Sequence, residues 1–423
     1  MTRRMGGLIV AFCLAAVAAR AEEWPGWRGP RGDGTSTETG IPDTWSPKEN
    51  IRWKTPIPGI GHSSPIVWGD RIFVTTCVQD DKGMEGDRKL LCLDRNDGHV
   101  IWDKVVVPQA VLEKKHRLNS YSSSTPATDG KHVWVAFLDD PKMIAVCCDF
   151  DGNEVWRKSP GEFHSVHGFC TSPVLYKDLV ILNGDQDALA YIVALDKNTG
   201  QEKWRADRPN RTRSYCTPIL IRSAKHPEIT QLVLSGSKCV TGYNADDGTL
   251  RWIVQGPTEQ YVASLVYLDD TLGLTCGFPE RHLMGIDPDG EGDVTNTPFV
   301  RWHIGNAENG EKGASYVPSP IAADDCFFIV SDVGYLSCVE ARTGKRLWMQ
   351  KLGRHHSASP VLIDGKMYFV DDDGVTWVLK ASRDFQVLQK NALGEECYAS
   401  PAVSHGELFI RTLNNLYCIS AKK

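Results

Sequence analysis

The chain has 423 residues, 24% of them charged, with 47 Lys and Arg against 53 Asp and Glu and a net charge of −6. That length suits one large repeat fold or two ordinary domains, and the acidic balance argues against nucleic acid as a partner. No stretch after the first twenty residues is long and apolar enough to predict a membrane span.

The first element is MTRRMGGLIVAFCLAAVAARAEEW. Arg3 and Arg4 precede an apolar run from Leu8 to Ala19, too short to cross a bilayer, and Ala19 and Ala21 flank Arg20 as a small-x-small cleavage site. These features predict a signal peptide over residues 1–21, cleaved near Ala21, and a periplasmic or secreted mature chain. Cleavage removes Arg3, Arg4 and Arg20 and no acid, so the mature net charge falls from −6 to −9. Residues 22–50 then read as an extended segment before a repeat domain over 51–423.

From Trp53 onward one unit recurs. Its first half is a Ser/Thr-Pro step and two short strands, as in SSPIVWGDRIFVTT, STPATDGKHVWVAF, TSPVLYKDLVILNG and SASPVLIDGKMYFVD. Its second half is a strand ending in an acid, a Gly hairpin and a Trp, as in LDRNDGHVIW, CDFDGNEVW, LDKNTGQEKW, YNADDGTLRW and VEARTGKRLW. Proline suits the first residue of a strand, glycine the positive φ of a tight turn, and tryptophan the gap to a neighbouring unit. Copies of the first half fall at Pro65, Pro126, Pro173, Pro218, Leu265, Pro320, Pro360 and Pro401. Copies of the last strand fall at Trp53, Trp102, Trp156, Trp204, Trp252, Trp302 and Trp348 and, degenerately, near Leu388. The first of these precedes the first Ser-Pro, and the chain ends without one. The predicted fold is therefore all-β, an eight-bladed β-propeller of four-stranded antiparallel blades, with an N-terminal strand completing the last blade and closing the ring.

The ALDKNTGQEKW pattern resembles the tryptophan-docking motif of the pyrroloquinoline-quinone (PQQ) repeat superfamily. That superfamily includes quinoprotein alcohol dehydrogenases and the assembly protein BamB. The opening EEWPGWRGPRGDGTSTETGIPDTWSP is similar to exported BamB-like propellers of planctomycete-type bacteria. The resemblance covers roughly residues 24–421. It implies the propeller fold, and either a binding scaffold or a PQQ-dependent dehydrogenase acting on an alcohol or sugar.

Twelve cysteines follow the leader. Two residues before each third-strand acid, or before Asn244 and Ser420 in its place, stand Cys92, Cys147, Ala194, Gly242, Gly285, Cys338 and Cys418, all small, with Leu379 the exception. This favours cysteine as a small buried packing residue. Cys147-Cys148 also resembles the vicinal disulfide that roofs the quinone in the dehydrogenases. Adjacent strand residues point to opposite faces, however, which disfavours the bridge. Cys77/Cys92 and Cys170/Cys216 are conceivable pairs, with connectivity open.

The linkers between blades should gather at one mouth of the central channel. They carry His62, then His116, Arg117 and Tyr121, then His164 and His167, then Arg211, Arg213 and Tyr215. Tyr261, Tyr316, the Arg354-His355-His356 run and Tyr398 complete the circle. One reading is a pocket for an anionic small molecule or an acidic peptide, since Arg forks bind carboxylates and Tyr and His stack. The other is that wet loops are polar and satisfy strand ends. A short helix over Gln109–Arg117 would add a contact element.

No metal-ligand spacing stands out, and no metal is expected. Asp287-Pro288-Asp289-Gly290-Glu291 begins like a calcium loop, but Pro298 stands where the last ligand would be required, favouring an expanded acidic hairpin. The compact blades favour a monomeric binding scaffold for an envelope protein or polymer, without cofactor. The alternative is the quinoprotein dehydrogenase, with PQQ and calcium.

Overall fold

The computed structural model describes residues 21–208, 210 and 212–421. The predicted leader and Arg211 lie outside them, except for Ala21. Eight sheets follow one another along the chain, each built on four antiparallel strands, and apart from one short helical stretch, Asn306–Gly313, the repeats are all-β. Every first strand starts directly after a repeat position. They are Ile66–Trp68, Ala127–Thr128, Val174–Tyr176, Ile219–Ile221, Val266–Leu268, Ile321–Ala323, Val361–Ile363 and Ala402–Ser404, which begin blades 1 to 8. Blade 8 takes its outer strand, Ile51–Pro56, from the start of the chain, with Trp53 opposite Cys418. The protein is an eight-bladed propeller.

The Ser/Thr residues of the repeat step tie successive blades together from blade 1 to blade 8. The Ser64 N–H donates to the Thr125 hydroxyl at 2.9 Å, Thr125 to Ser172 at 3.0 Å and Ser172 to Thr217 at 3.2 Å. Ser264, Ser319 and Ser359 donate in turn to Ser319, Ser359 and Ser400, each at 2.9 Å. The Ser264 hydroxyl reaches the Thr217 carbonyl at 2.6 Å. These groups are buried, so the chain of bonds satisfies polar atoms that water does not reach.

Tryptophan spans the blades on the opposite face. The indole of Trp53 donates to the Arg95 carbonyl, Trp102 to Phe150, Trp156 to Lys197 and Trp302 to Ala341, each the residue after the next blade's third-strand acid. A Cβ on Gly98 would lie 2.5 Å from the Trp53 ring, and one on Gly248 2.5 Å from Trp204. The hairpin glycine therefore receives the preceding blade's indole as well as turning at positive φ.

The same indoles explain the small third-strand residues. Cys92, Cys147, Ala194, Gly242, Gly285, Cys338 and Cys418 stand opposite Trp102, Trp156, Trp204, Trp252, Trp302, Trp348 and Trp53. In blade 7 the equivalent pair is Val378 and Gln389, one residue from the Leu379 and Leu388 expected by counting. Without an indole there, a larger side chain fits. Cys147 packs with Trp134 and Trp156, whereas Cys148 packs on the other side of its sheet with Phe73 and Val106. Cys77, Cys92, Cys147, Cys148, Cys170 and Cys216 are free thiols. Cys77 stands opposite Arg88 and Cys92 opposite Phe73, so strand register separates the conceivable Cys77/Cys92 pair.

One local expectation is corrected, and the expected acidic hairpin of blade 5 gains a pairing of its own. Residues expected as a helix over Gln109–Arg117 begin inside the long strand Val100–Val111, because the 85–94 strand extends far enough to pair with it. The calcium-like segment is a structural return: Gly292 and Asp293 pair with Trp252 and Ile253, adding an edge to blade 4.

The segment Trp24–Ser36 runs through the centre of the ring. Trp24 exchanges backbone hydrogen bonds with Val67 of blade 1, and Pro25 accepts from Thr128 of blade 2. Arg28 is buried and donates to the Pro320 carbonyl at the start of blade 6. Thr35 and Ser36 pair in parallel with Leu362 and Ile363 of blade 7. The segment leaves a cavity of about 470 Å³ against the first strands of blades 2 to 5.

Candidate binding face

Strand alternation puts the linkers between blades and the hairpins joining second to third strands on one face. The Gly-x-x-x-Trp hairpins lie on the other. The structure brings most of the anticipated residues together on the first face. His62 stacks against Tyr398 at 4.7 Å, with rings tilted. His116 and His167 meet edge to face at 5.9 Å, and His167 lies 6.2 Å from Tyr215. Lys115 covers the Tyr121 ring at 5.0 Å. The Tyr316 hydroxyl donates to Gln260 Oε1 at 3.0 Å.

Several of these residues serve the fold. Tyr261 is fully buried and spends its hydroxyl on the Gly256 carbonyl at 2.6 Å, so it does not line the mouth. His356 is likewise sealed inside, and burial pulls its pKa down to about 4. Tyr215 is buried with its hydroxyl 2.6 Å from Ser165 Oγ. His355, beside His356 in sequence, points elsewhere: its Nδ1 lies 2.6 Å from Asp372, which raises its pKa. His164 is exposed and contacts Glu162.

The second-to-third-strand hairpins bring charges that inspection of the linkers missed. Asp187 accepts from Arg213 at 2.6 Å, and Asp332 pairs with Arg281 at 3.0 Å. Together with Asp372 these acids neutralise the blade 3 to 7 side. Their position was available from strand direction alone, since DQD, SDVG and DDDG all occupy the hairpin that opens toward the linkers.

The sector around blades 1, 2 and 8 is different. Arg411 is buried beneath His62, its Nη1 donating to Ser63 O, Ser63 Oγ and the Thr75 carbonyl. Burial lowers its pKa to about 9, and among the described residues no carboxylate lies within ion-pair distance. Burial, together with the positive charges of Arg411 and Lys115, drives the His62 pKa down to about 3 and keeps it neutral. Arg117 in this sector, and Arg354 in the linker between blades 6 and 7, stand exposed, also without a carboxylate within ion-pair distance among the described residues. Arg117 is close enough for its charge to act on His355 and Tyr398 across the mouth.

A family model described as outer membrane protein assembly factor BamB matches residues 86–271 and 296–410. The chain belongs to this BamB family. BamB of Burkholderia pseudomallei (strain K96243) is 31% identical over 104 residues, a match spanning 24% of this chain and 26% of that protein. BamB from Moraxella catarrhalis superposes with a TM-score of 0.58 at 12% identity, covering 86% of this chain and 98% of that one. A quinohemoprotein alcohol dehydrogenase, ADHIIG of Pseudomonas putida HK5, gives a TM-score of 0.64 at 12% identity over 94% of this chain and 80% of its own. At such identities the superpositions establish shared fold only.

Within this BamB-family propeller the residues present do not fit a quinone roof. Cys147 and Cys148 face separate cores in blade 2 and stand on a strand that ends at the Gly-x-x-x-Trp face, away from the linkers. Burial pushes the Cys148 thiol up to about 12, the opposite of an activated thiol. Among the described residues, the ligand atoms of Asp94, Asp97 and His99 converge within 4.8 Å. They do so as hairpin chemistry: Asp94 accepts from Asn96 N, and Asp97 from His99 N.

Proposed function

We propose that the protein is an exported binding scaffold of the cell envelope, periplasmic or secreted after cleavage near Ala21. It recognises another protein through the mouth formed by the linkers. The observation that carries this reading is the cationic set of Lys115, Arg117, Arg354 and buried Arg411, none with a carboxylate within ion-pair distance among the described residues, while Arg213, Arg281 and His355 of the mouth are internally paired. Unpaired guanidinium groups on a rigid ring suit the carboxylates of an acidic segment. Membership of a family described as outer membrane protein assembly factors supports a protein partner. The central segment through Arg28 supports a face-binding role, because it occupies space that a deep ligand channel requires. The packing of Cys147 and Cys148 in separate cores supports the cofactor-free scaffold over the dehydrogenase.

The test is affinity purification from envelope extracts with the Arg117→Glu/Arg354→Glu double variant, compared with Lys203→Glu/Arg342→Glu on the opposite face. The proposal requires loss of a reproducible partner in the first variant and its retention in the second. Saturable, calcium-dependent binding of PQQ in a calorimetric titration would favour the dehydrogenase instead.

A further inference from the structure

The start of the described chain is tied down with unusual density. The Glu22 nitrogen lies 2.6 Å from Glu38 Oε1, and the Glu22 carbonyl accepts from the Ser404 hydroxyl at 2.6 Å. The Glu22 side chain accepts from Arg31 at 2.6 Å, from the Thr37 N–H at 2.9 Å and from Ser36 at 3.2 Å. Glu38 is itself almost fully buried, and its two oxygens also accept the backbone N–H groups of His405 and Gly406 in the first turn of blade 8. Glu23 caps the matching turn of blade 1 at the Gly69 N–H. The anchor therefore straddles blades 8 and 1, the joint at which the ring closes.

Three neutral N–H groups gather around one carboxylate, and the Glu22 contact is the shortest of them. The residue before it, Ala21, is exposed and ends the Ala19-Arg20-Ala21 cleavage pattern. Resting on the export and cleavage proposed above, we propose that hydrolysis of the Ala21–Glu22 peptide bond is a maturation step that locks the central segment into the ring. Water adds across the bond, Ala21 leaves as the carboxylate end of the leader, and the Glu22 nitrogen becomes an α-ammonium. The freed ammonium then sits on the Glu38 carboxylate, converting a neutral hydrogen bond into a charge-assisted one. Such bonds are shorter and roughly twice as strong. Glu38 passes that attachment to blade 8 through His405 and Gly406, while Trp24, two residues on, holds blade 1. Cleavage thus tightens the segment and the ring closure together, and only in the compartment where the leader is removed.

The test has two parts. The full-length precursor is exported, and the amino terminus of the recovered protein is sequenced; the proposal requires Glu22. The mature protein is then made with Glu22 as its free terminus and, separately, with Ala21 retained. Because Ala21 is exposed, the longer chain keeps the same contacts and changes only the charge on the Glu22 nitrogen. The Glu22-start protein should melt roughly 1–3 °C higher, and Glu38→Gln should erase that difference. A terminus elsewhere, equal melting of the two forms, or a difference that survives in Glu38→Gln would overturn the proposal.

Discussion

Replacing Gly242 with alanine tests the rule that sets the third-strand column. Its Cβ would stand 2.3 Å from Trp252 Nε1 and 2.4 Å from Cε2. The indole cannot retreat cheaply: Trp252 is fully buried and donates to Gln231 Oε1 at 2.8 Å. Overpacking of this kind costs about 1–3 kcal/mol. If the ring moves enough to lose Gln231, a buried unsatisfied donor adds about 1–3 kcal/mol. Relief of glycine's backbone entropy offsets about 0.5–1 kcal/mol. The net expectation is a loss of about 2–4 kcal/mol, read from urea unfolding followed by tryptophan fluorescence and circular dichroism. Adding Trp252→Phe removes the two nearest atoms, so the double variant should lose less than the sum of the singles. A loss under about 0.5 kcal/mol for Gly242→Ala, or strict additivity, would refute contact with the indole as the reason for small residues there.

Other outcomes follow from charge and burial. Burial works to raise the Glu395 pKa, but hydrogen bonds from Lys54, Asn415, Thr412 and Tyr417 outweigh it and hold it at about 2. A depressed carboxyl stabilises the fold above its unfolded pKa, so this contribution should fade from about pH 4.5 toward pH 2; Glu395→Gln should flatten acid unfolding in that window. The His355 pKa is raised by Asp372, so its contribution is full below about pH 6.5 and is lost as pH rises through the folded value. Asp372→Asn should move the His355 titration downward by nuclear magnetic resonance. Arg28 has buried Nε and Nη1 atoms with no hydrogen-bond partner, so Arg28→Met should cost less than about 1 kcal/mol in the same urea assay. Alkylation followed by mass mapping should leave Cys92, Cys147 and Cys148 unmodified until the protein unfolds, because all three are buried.

The repeat was legible because each blade spends recognisable residues on fixed tasks. Proline marked the first strand of seven blades, and Leu265 marked the eighth through its apolar pattern alone. Tryptophan and glycine marked the hairpins, although their partnership runs between blades: Trp53 meets Gly98, not a residue of its own turn. The hydroxyls of the Ser/Thr-Pro steps were visible, but their blade-to-blade bonding depends on ring geometry. Blade 7 lacks its Trp, so counting slipped by one residue where register put Val378 against Gln389. At the mouth, residue type located His62, Arg213 and Tyr398 but could not separate them from Tyr261, whose hydroxyl turns inward. The acids Asp187, Asp332 and Asp372 were overlooked because they come from a different hairpin of each blade.

Site-specific photocrosslinking in growing cells tests the central claim most directly. A photoreactive residue is placed in turn at Arg117, Arg354, Lys203 and Arg342. The account predicts crosslinks to one discrete envelope protein from the first two positions, which border the cationic mouth, and none from the last two on the Gly-x-x-x-Trp face. Crosslinks arising chiefly from Lys203 and Arg342, or from no position in a correctly folded and exported protein, would contradict it.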